Sequence, residues 1–170
     1  MRVHARLLAA ALFVGGLLAG QPASAQQPTF VGSYRDWNVY TATVDGRFNC
    51  YIASVPKKEE GSYQRRDPAA VLVTRVKGST TDEVSVRSGY PYNQNSTVAL
   101  QIGNQRWDLF TQGETAWAST SDEDRAIIGA MRAGTDMTAR GTSQRNTFSL
   151  DTYSLLGFTA AYESMTQTCS

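Results

Sequence analysis

Apolar and polar positions alternate along most of the chain from Trp37 onward. Trp37, Val39 and Thr41 share one face of an extended segment, with Asn38 and Tyr40 on the other, the period of a half-buried strand. Asp45-Gly46 is a two-residue hairpin signal, and the return run sets Phe48, Cys50 and Ile52 on one face, which points Cys50 inward beside two hydrophobes. Pro56 to Pro68 carries both signs of charge, in Lys57-Lys58-Glu59-Glu60 and Arg65-Arg66-Asp67, and is predicted to be a solvated loop. Ala70 to Val76 is apolar on both faces, as in a central strand covered on each side. Gly78 to Asp82 turns the chain, and Glu83 to Ser88 continues it with Val84 and Val86. Val98, Leu100 and Ile102 alternate, Gly103-Asn104 turns, and Trp107 and Leu109 return as a second hairpin. Trp117, beyond a turn at Gly113, ends a short strand or covers the core.

The period changes twice. Ser121-Asp122-Glu123-Asp124 opens a helix, the serine capping free amides and the carboxylates favouring the positive end of the helix dipole. Ile127, Ile128 and Met131 form its buried stripe and Gly134 stops it. Met137, Ala139 and Gly141 then alternate, Gln144-Arg145-Asn146 turns the chain, and Phe148 and Leu150 share a face. Tyr153 and Leu155 have the opposite parity, which a bulge near Asp151-Thr152 would reconcile. A last helix carries Phe158, Ala161, Tyr162 and Met165 at i, i+3, i+4 and i+7, with Cys169 on the same stripe. The expected fold is mainly β, an antiparallel β-sandwich or curled sheet with one internal helix and one C-terminal helix.

The first residues follow another logic. Arg2, His4 and Arg6 precede an apolar run from Leu7 to Ala19, and Ala23-Ser24-Ala25 is a small-x-small cleavage pattern. Residues 1–25 are therefore expected to be a signal peptide cut between Ala25 and Gln26, leaving a single domain over residues 26–170. No later apolar run has the length of a spanning helix, about 20 residues, so no transmembrane segment is expected after cleavage. Losing Arg2 and Arg6 takes the chain from 16 basic against 15 acidic side chains to 14 against 15. That balance gives no electrostatic case for nucleic acid or an anionic membrane. In an exported chain the two cysteines, Cys50 and Cys169, favour a disulfide over two buried thiols.

Candidate chemistry is sparse. His4 is the only histidine and departs with the leader, which removes Ser-His and Cys-His nucleophile pairs and the usual zinc ligands. The acidic run at Asp122 lacks the ligand spread of a calcium loop, so neither a metal nor a cofactor is expected. A carboxylate pair among nine aspartates and six glutamates remains conceivable for a hydrolase, with no pair singled out. Asp151, Tyr153 and Arg140 have the look of a polar site but read better as residues that specify the fold. The candidate contact surface is Tyr90, Pro91, Tyr92 and Trp117: aromatic side chains around a loop proline suit partner binding, although packing onto the sheet is the plainer role for each.

Several stretches taken in order resemble the invasion-associated locus B family of exported proteins from Gram-negative bacteria. They are Asp36-Trp37-Asn38-Val39-Tyr40, Arg66-Asp67-Pro68, Glu83-Val84-Ser85-Val86 leading to Gly89-Tyr90-Pro91-Tyr92, and Leu109-Phe110-Thr111 with Trp117. The most specific are Asp151-Thr152-Tyr153-Ser154-Leu155 and Gly157-Phe158-Thr159-Ala160-Ala161. The resemblance implies a protein of the periplasm, with outer-membrane or surface association an option, some relatives being linked to host-cell invasion. It supplies no catalytic residues. The function expected is non-enzymatic binding of an unidentified envelope or host protein or surface component, in invasion or envelope upkeep. A small-ligand carrier is the alternative.

Overall fold

The computed structural model describes residues 27–63 and 65–170; the expected signal peptide and its cleavage point at Ala25 and Gln26 lie outside the described residues. Eleven strands form one antiparallel sheet. In chain order they are β1 (Thr29–Tyr34), β2 (Trp37–Val44), β3 (Arg47–Ser54), β4 (Lys58–Gly61), β5 (Ala70–Val76), β6 (Glu83–Arg87), β7 (Thr97–Ile102), β8 (Gln105–Gln112), β9 (Thr115–Trp117), β10 (Asp136–Thr142) and β11 (Phe148–Ser154). Among the described residues two helices accompany the sheet, α1 (Ser121–Ala133) between β9 and β10 and α2 (Phe158–Thr168) after β11. The order across the sheet is β1-β2-β3-β5-β6-β9-β8-β7-β10-β11-β4. The mainly β class and both helices agree with the pattern read from sequence.

One buried cluster takes side chains from β2 at one side of the sheet and from β11 near the other, together with both helices. An open sheet of this width reaches a common core only by curling, so the curled alternative describes it. Helix α2 lies across β1, β2 and β3, and α1 lies against β6 and α2. Trp37 and Phe158, both fully buried, meet edge to face with ring centroids 4.9 Å apart, and the Trp37 indole N–H donates to the Ser154 carbonyl at 3.0 Å. One side chain thus joins β2, α2 and β11.

The alternation predicts most inward positions correctly. Asp45 and Gly46 both take positive φ, the geometry of the tight hairpin expected there, and Val44 pairs with Arg47 across it. Cys50 and Ile52 are buried, but Phe48 on the same face is 39% exposed because it lies past the covered part of the sheet. The strand at Ala70–Val76 is covered on one side only: Val71 and Val73 are buried, whereas Leu72 and Val76 are half-buried. The segment from Pro56 to Pro68 is not all loop, since β4 pairs antiparallel with β11 from Lys58↔Thr152 to Gly61↔Ser149. All four β4 residues are exposed, so its charges are those of a protected edge strand. Helix α1 is capped by Thr120 rather than Ser121, the Thr120 hydroxyl accepting the Glu123 amide at 3.2 Å.

The bulge expected near Asp151-Thr152 does not exist. β10 and β11 pair without a break from Asp136↔Ser154 to Thr142↔Phe148. The parity conflict is resolved the other way: Ser149, Asp151 and Tyr153 face inward, and Phe148 stands 40% exposed outside. The irregularity in the sheet sits instead in β1, between Phe30 and Gly32.

Cys50 and Cys169 are bonded, which ties β3 to the residue after α2. Beside the bond, Arg75 of β5 makes a two-point ion pair with Asp82 at 2.6 and 2.7 Å, and the Tyr162 hydroxyl of α2 donates to the same carboxylate at 2.6 Å. Burial, and the donation to Asp82, push the Tyr162 phenol up to about 12. A clasp closes the opposite corner, with Lys57 Nζ 2.6 Å from Asp36 Oδ1. The Lys57 hydrogen bond, helped by Ser154, holds the Asp36 carboxyl below its ordinary value.

Closing a loop across 119 residues gives the disulfide a large share of the stability. Reduction, or Cys50→Ala with Cys169→Ala, is expected to cost about 2–5 kcal/mol, read as a lower urea midpoint; an unchanged midpoint would contradict the bond. The Asp36–Lys57 clasp has the opposite pH signature to a group raised by burial. Because the folded carboxyl is lowered, its contribution is present above the unfolded value of about 3.9 and is lost as pH falls through the folded value. Lys57→Met should therefore lower Tm slightly at neutral pH, with the deficit disappearing in strong acid; a deficit constant with pH would show that the clasp contributes only by packing.

Candidate functional site

An inward-facing aspartate on a core strand has to be neutralised or protonated, since an isolated buried carboxylate is too costly. Asp151 is neutralised. Arg66 reaches it from the segment before β5 and makes a forked contact, Nη2 to Oδ1 at 2.6 Å and Nη1 to Oδ2 at 2.9 Å. The two side chains are 3% and 4% exposed. Arg66 Nη2 also lies 3.1 Å from Glu59 Oε2 of β4, and the Tyr63 ring covers the guanidinium with 4.7 Å between Cζ and the ring centre. Arg66 therefore links edge strand β4 to β11 and to the chain leading into β5.

Local backbone geometry puts Arg66 there. The Asp67 amide donates to the Gly89 carbonyl at 2.9 Å. Gly89 has φ +74, and a Cβ built on it would stand 1.9 Å from the Asp67 carbonyl oxygen. Only glycine admits this approach. The neighbouring loop is pinned from several sides: the Tyr90 hydroxyl and Ser149 Oγ are 2.6 Å apart, the Tyr92 amide donates to Gly113 at 2.8 Å, and the Gln144 amide donates to Pro91 at 3.0 Å.

Burial alone would lower the Arg66 pKa, yet the bonds from Asp151 and Glu59 hold it above its ordinary value. Burial pushes the Asp151 carboxyl up against the pull of Arg66. The Tyr92 and Tyr153 phenols are raised, chiefly by burial. Among the described residues, Arg66 Nε and the Tyr153 hydroxyl lack a hydrogen-bond partner. These ionisable groups are locked, not poised: Asp151 faces its own counterion, and the phenols are harder to ionise than in water. The network can hold a surface rigid. It offers no free base beside a nucleophile.

Above it lies an open depression of about 810 Å³. Tyr63, Arg65, Tyr90, Pro91 and Arg145 line it, with Arg66 at its floor. The four candidate contact residues do not form one surface. Tyr90 and Pro91 line this depression, and the Tyr90 ring meets Tyr92 edge-on at 5.4 Å. Tyr92 is only 5% exposed and belongs to the core. Trp117 lines a different depression of about 730 Å³, where its ring stacks on Phe110 at 5.7 Å. Arg140 points away from Asp151, its guanidinium over the exposed Phe148 ring at 5.0 Å. Sequence reasoning missed Arg66, Glu59 and Tyr63. The available signal was parity in β11: without a bulge, Asp151 must face inward, and an inward carboxylate needs a cation from elsewhere.

Removing one partner leaves the other charge buried alone. Arg66→Ala and Asp151→Ala are each expected to cost about 3–5 kcal/mol in urea unfolding. The double replacement Arg66→Ala with Asp151→Ala should cost less than the two single changes added together. Strict additivity would mean that the pair is not energetically coupled.

Among the described residues no helix is long and apolar enough to cross a membrane, and no group of three or more His, Cys, Asp or Glu side chains is placed to hold a metal ion. No curated protein and no solved structure matches the chain. Residues 37–166 match the family described as Invasion associated locus B (IalB) protein, a span from the first core tryptophan to within three residues of Cys169. Since the match covers well over half of the 170 residues, the chain belongs to the invasion associated locus B family.

Proposed function

We propose that the protein is a non-enzymatic envelope protein that docks a partner protein or surface component in the depression over Arg66. Family membership supports an invasion-associated envelope protein, and the leader pattern of residues 1–25 supports export to the periplasm, with outer-membrane or surface association as the alternative. The observation that carries the docking reading is the division of charge at this depression. Its floor arginine is paired with Asp151 and Glu59, whereas the rim residues Arg65 and Arg145 make no ion pair among the described residues. Both rim arginines and Pro91 are exposed on segments tied down by backbone hydrogen bonds. Arginine and aromatic side chains held on a rigid support are what a protein interface uses for most of its affinity. A small-ligand carrier has less support, because Trp37, Tyr153 and Phe158 fill the interior between sheet and helices.

The test is crosslinked capture from intact envelopes of the native host. Wild type should recover a defined partner, and Arg145→Glu and Pro91→Asp, both exposed and outside the core, should recover at least about tenfold less. Recovery of the monomer alone, or equal recovery by wild type and both variants, would count against the proposal.

A further inference from the structure

The second depression is bounded on one side by the start of α1, through Thr120, Ser121 and Asp124, and differs in chemistry from the first. Its apolar part is the stack of Phe110 from β8 on Trp117 from β9, a cross-strand pair whose rings lie 27° from parallel. Phe110 is 46% exposed, so the stack is a shelf facing solvent rather than a piece of core. Gln112 stands on the same face of β8 two residues on, and Asn49 of β3 contributes a second carboxamide to the lining. The ionic groups of this depression cancel or are already engaged. Asp82 is held by Arg75, Asp124 accepts the Val84 amide at 2.8 Å, and Arg47 and Glu83 are one charge of each sign.

We infer that this groove binds a chain of uncharged hexopyranose sugars. A pyranose presents a face of C–H bonds that packs on an aromatic ring, and a rim of hydroxyls that both donate and accept. Carboxamides answer such hydroxyls because each carries a donor and an acceptor in fixed geometry. An anionic ligand would call for net positive charge, which the lining of Arg47, Asp82, Glu83 and Asp124 does not supply. Its volume of about 730 Å³ is within the usual range for small-ligand sites, roughly 300–1,000 Å³, and its open form suits a chain that runs past the shelf.

The experiment is an amide and indole NMR titration of the oxidised protein without its leader, using cellotetraose, the fully N-acetylated chitotetraose and maltotetraose separately. Saturable shifts at the Trp117 indole and the Gln112 carboxamide with at least one of the three are expected, and the responding sugar identifies the linkage class. Phe110→Ala and Gln112→Ala change exposed side chains and should each weaken that binding at least about tenfold while melting as wild type does. Arg145→Ala, at the other depression, should leave it unchanged. If none of the three sugars gives a saturable shift, or if both groove variants bind as wild type does, the inference is wrong.

Discussion

The buried contact between Arg66 and Asp151 constrains more of this molecule than any other single interaction. A carboxylate on the inward side of a core strand is tolerated only with its counterion in place, so the chain before β5 must return to β11 and stay there. That requirement draws in the Asp67–Gly89 crossing, the Tyr63 ring over the guanidinium, and Glu59 on the edge strand. It also resists a slip of β11, because a one-residue shift would turn Asp151 outward and bring Phe148 and Leu150 in. The pair is better regarded as a specifier of arrangement than as a source of net stability, since desolvation offsets much of its attraction.

The opposite side of the molecule is held by different means. There the core is apolar, and α2 is anchored by the Cys50–Cys169 bond, by Tyr162 on the Asp82–Arg75 pair, and by Phe158 against Trp37. The two systems meet through β11, which carries Asp151 on its inward face and the Ser154 carbonyl that receives the Trp37 indole. With the sheet gripped at both sides, the depressions on its surface have rigid floors, and their chemistry is set by side chains at the rim.

How much of this could be read from the chain depends on the range of the interaction. Hairpins signalled by Asp45-Gly46 and Gly103-Asn104, the α1 stripe and the α2 stripe ending at Cys169 are local patterns, and each appears as expected. Strand β4 was hidden because Lys58, Glu59 and Glu60 carry the charges of a loop; an edge strand exposed on every residue leaves no apolar alternation to detect. The contact residues were legible as types but not as a set: Tyr90, Tyr92 and Trp117 are all plausible surface aromatics in sequence, and they divide among a rim, the core and a second groove.

By itself the sequence determined the mainly β class, the two helices, the inward cysteines and the family to which the chain belongs, because periodicity, turn residues and ordered motifs act over a few neighbouring positions. Only the tertiary structure decided that β11 runs without a bulge, that Asp151 points inward, and that Arg66, 85 residues earlier in the chain, meets it. The physical reason is that an unfavourable side-chain direction is judged locally in a sequence, as a charge that ought to face water. In the folded chain its cost is offset by a counterion that the topology brings from far away, and no local pattern records that meeting.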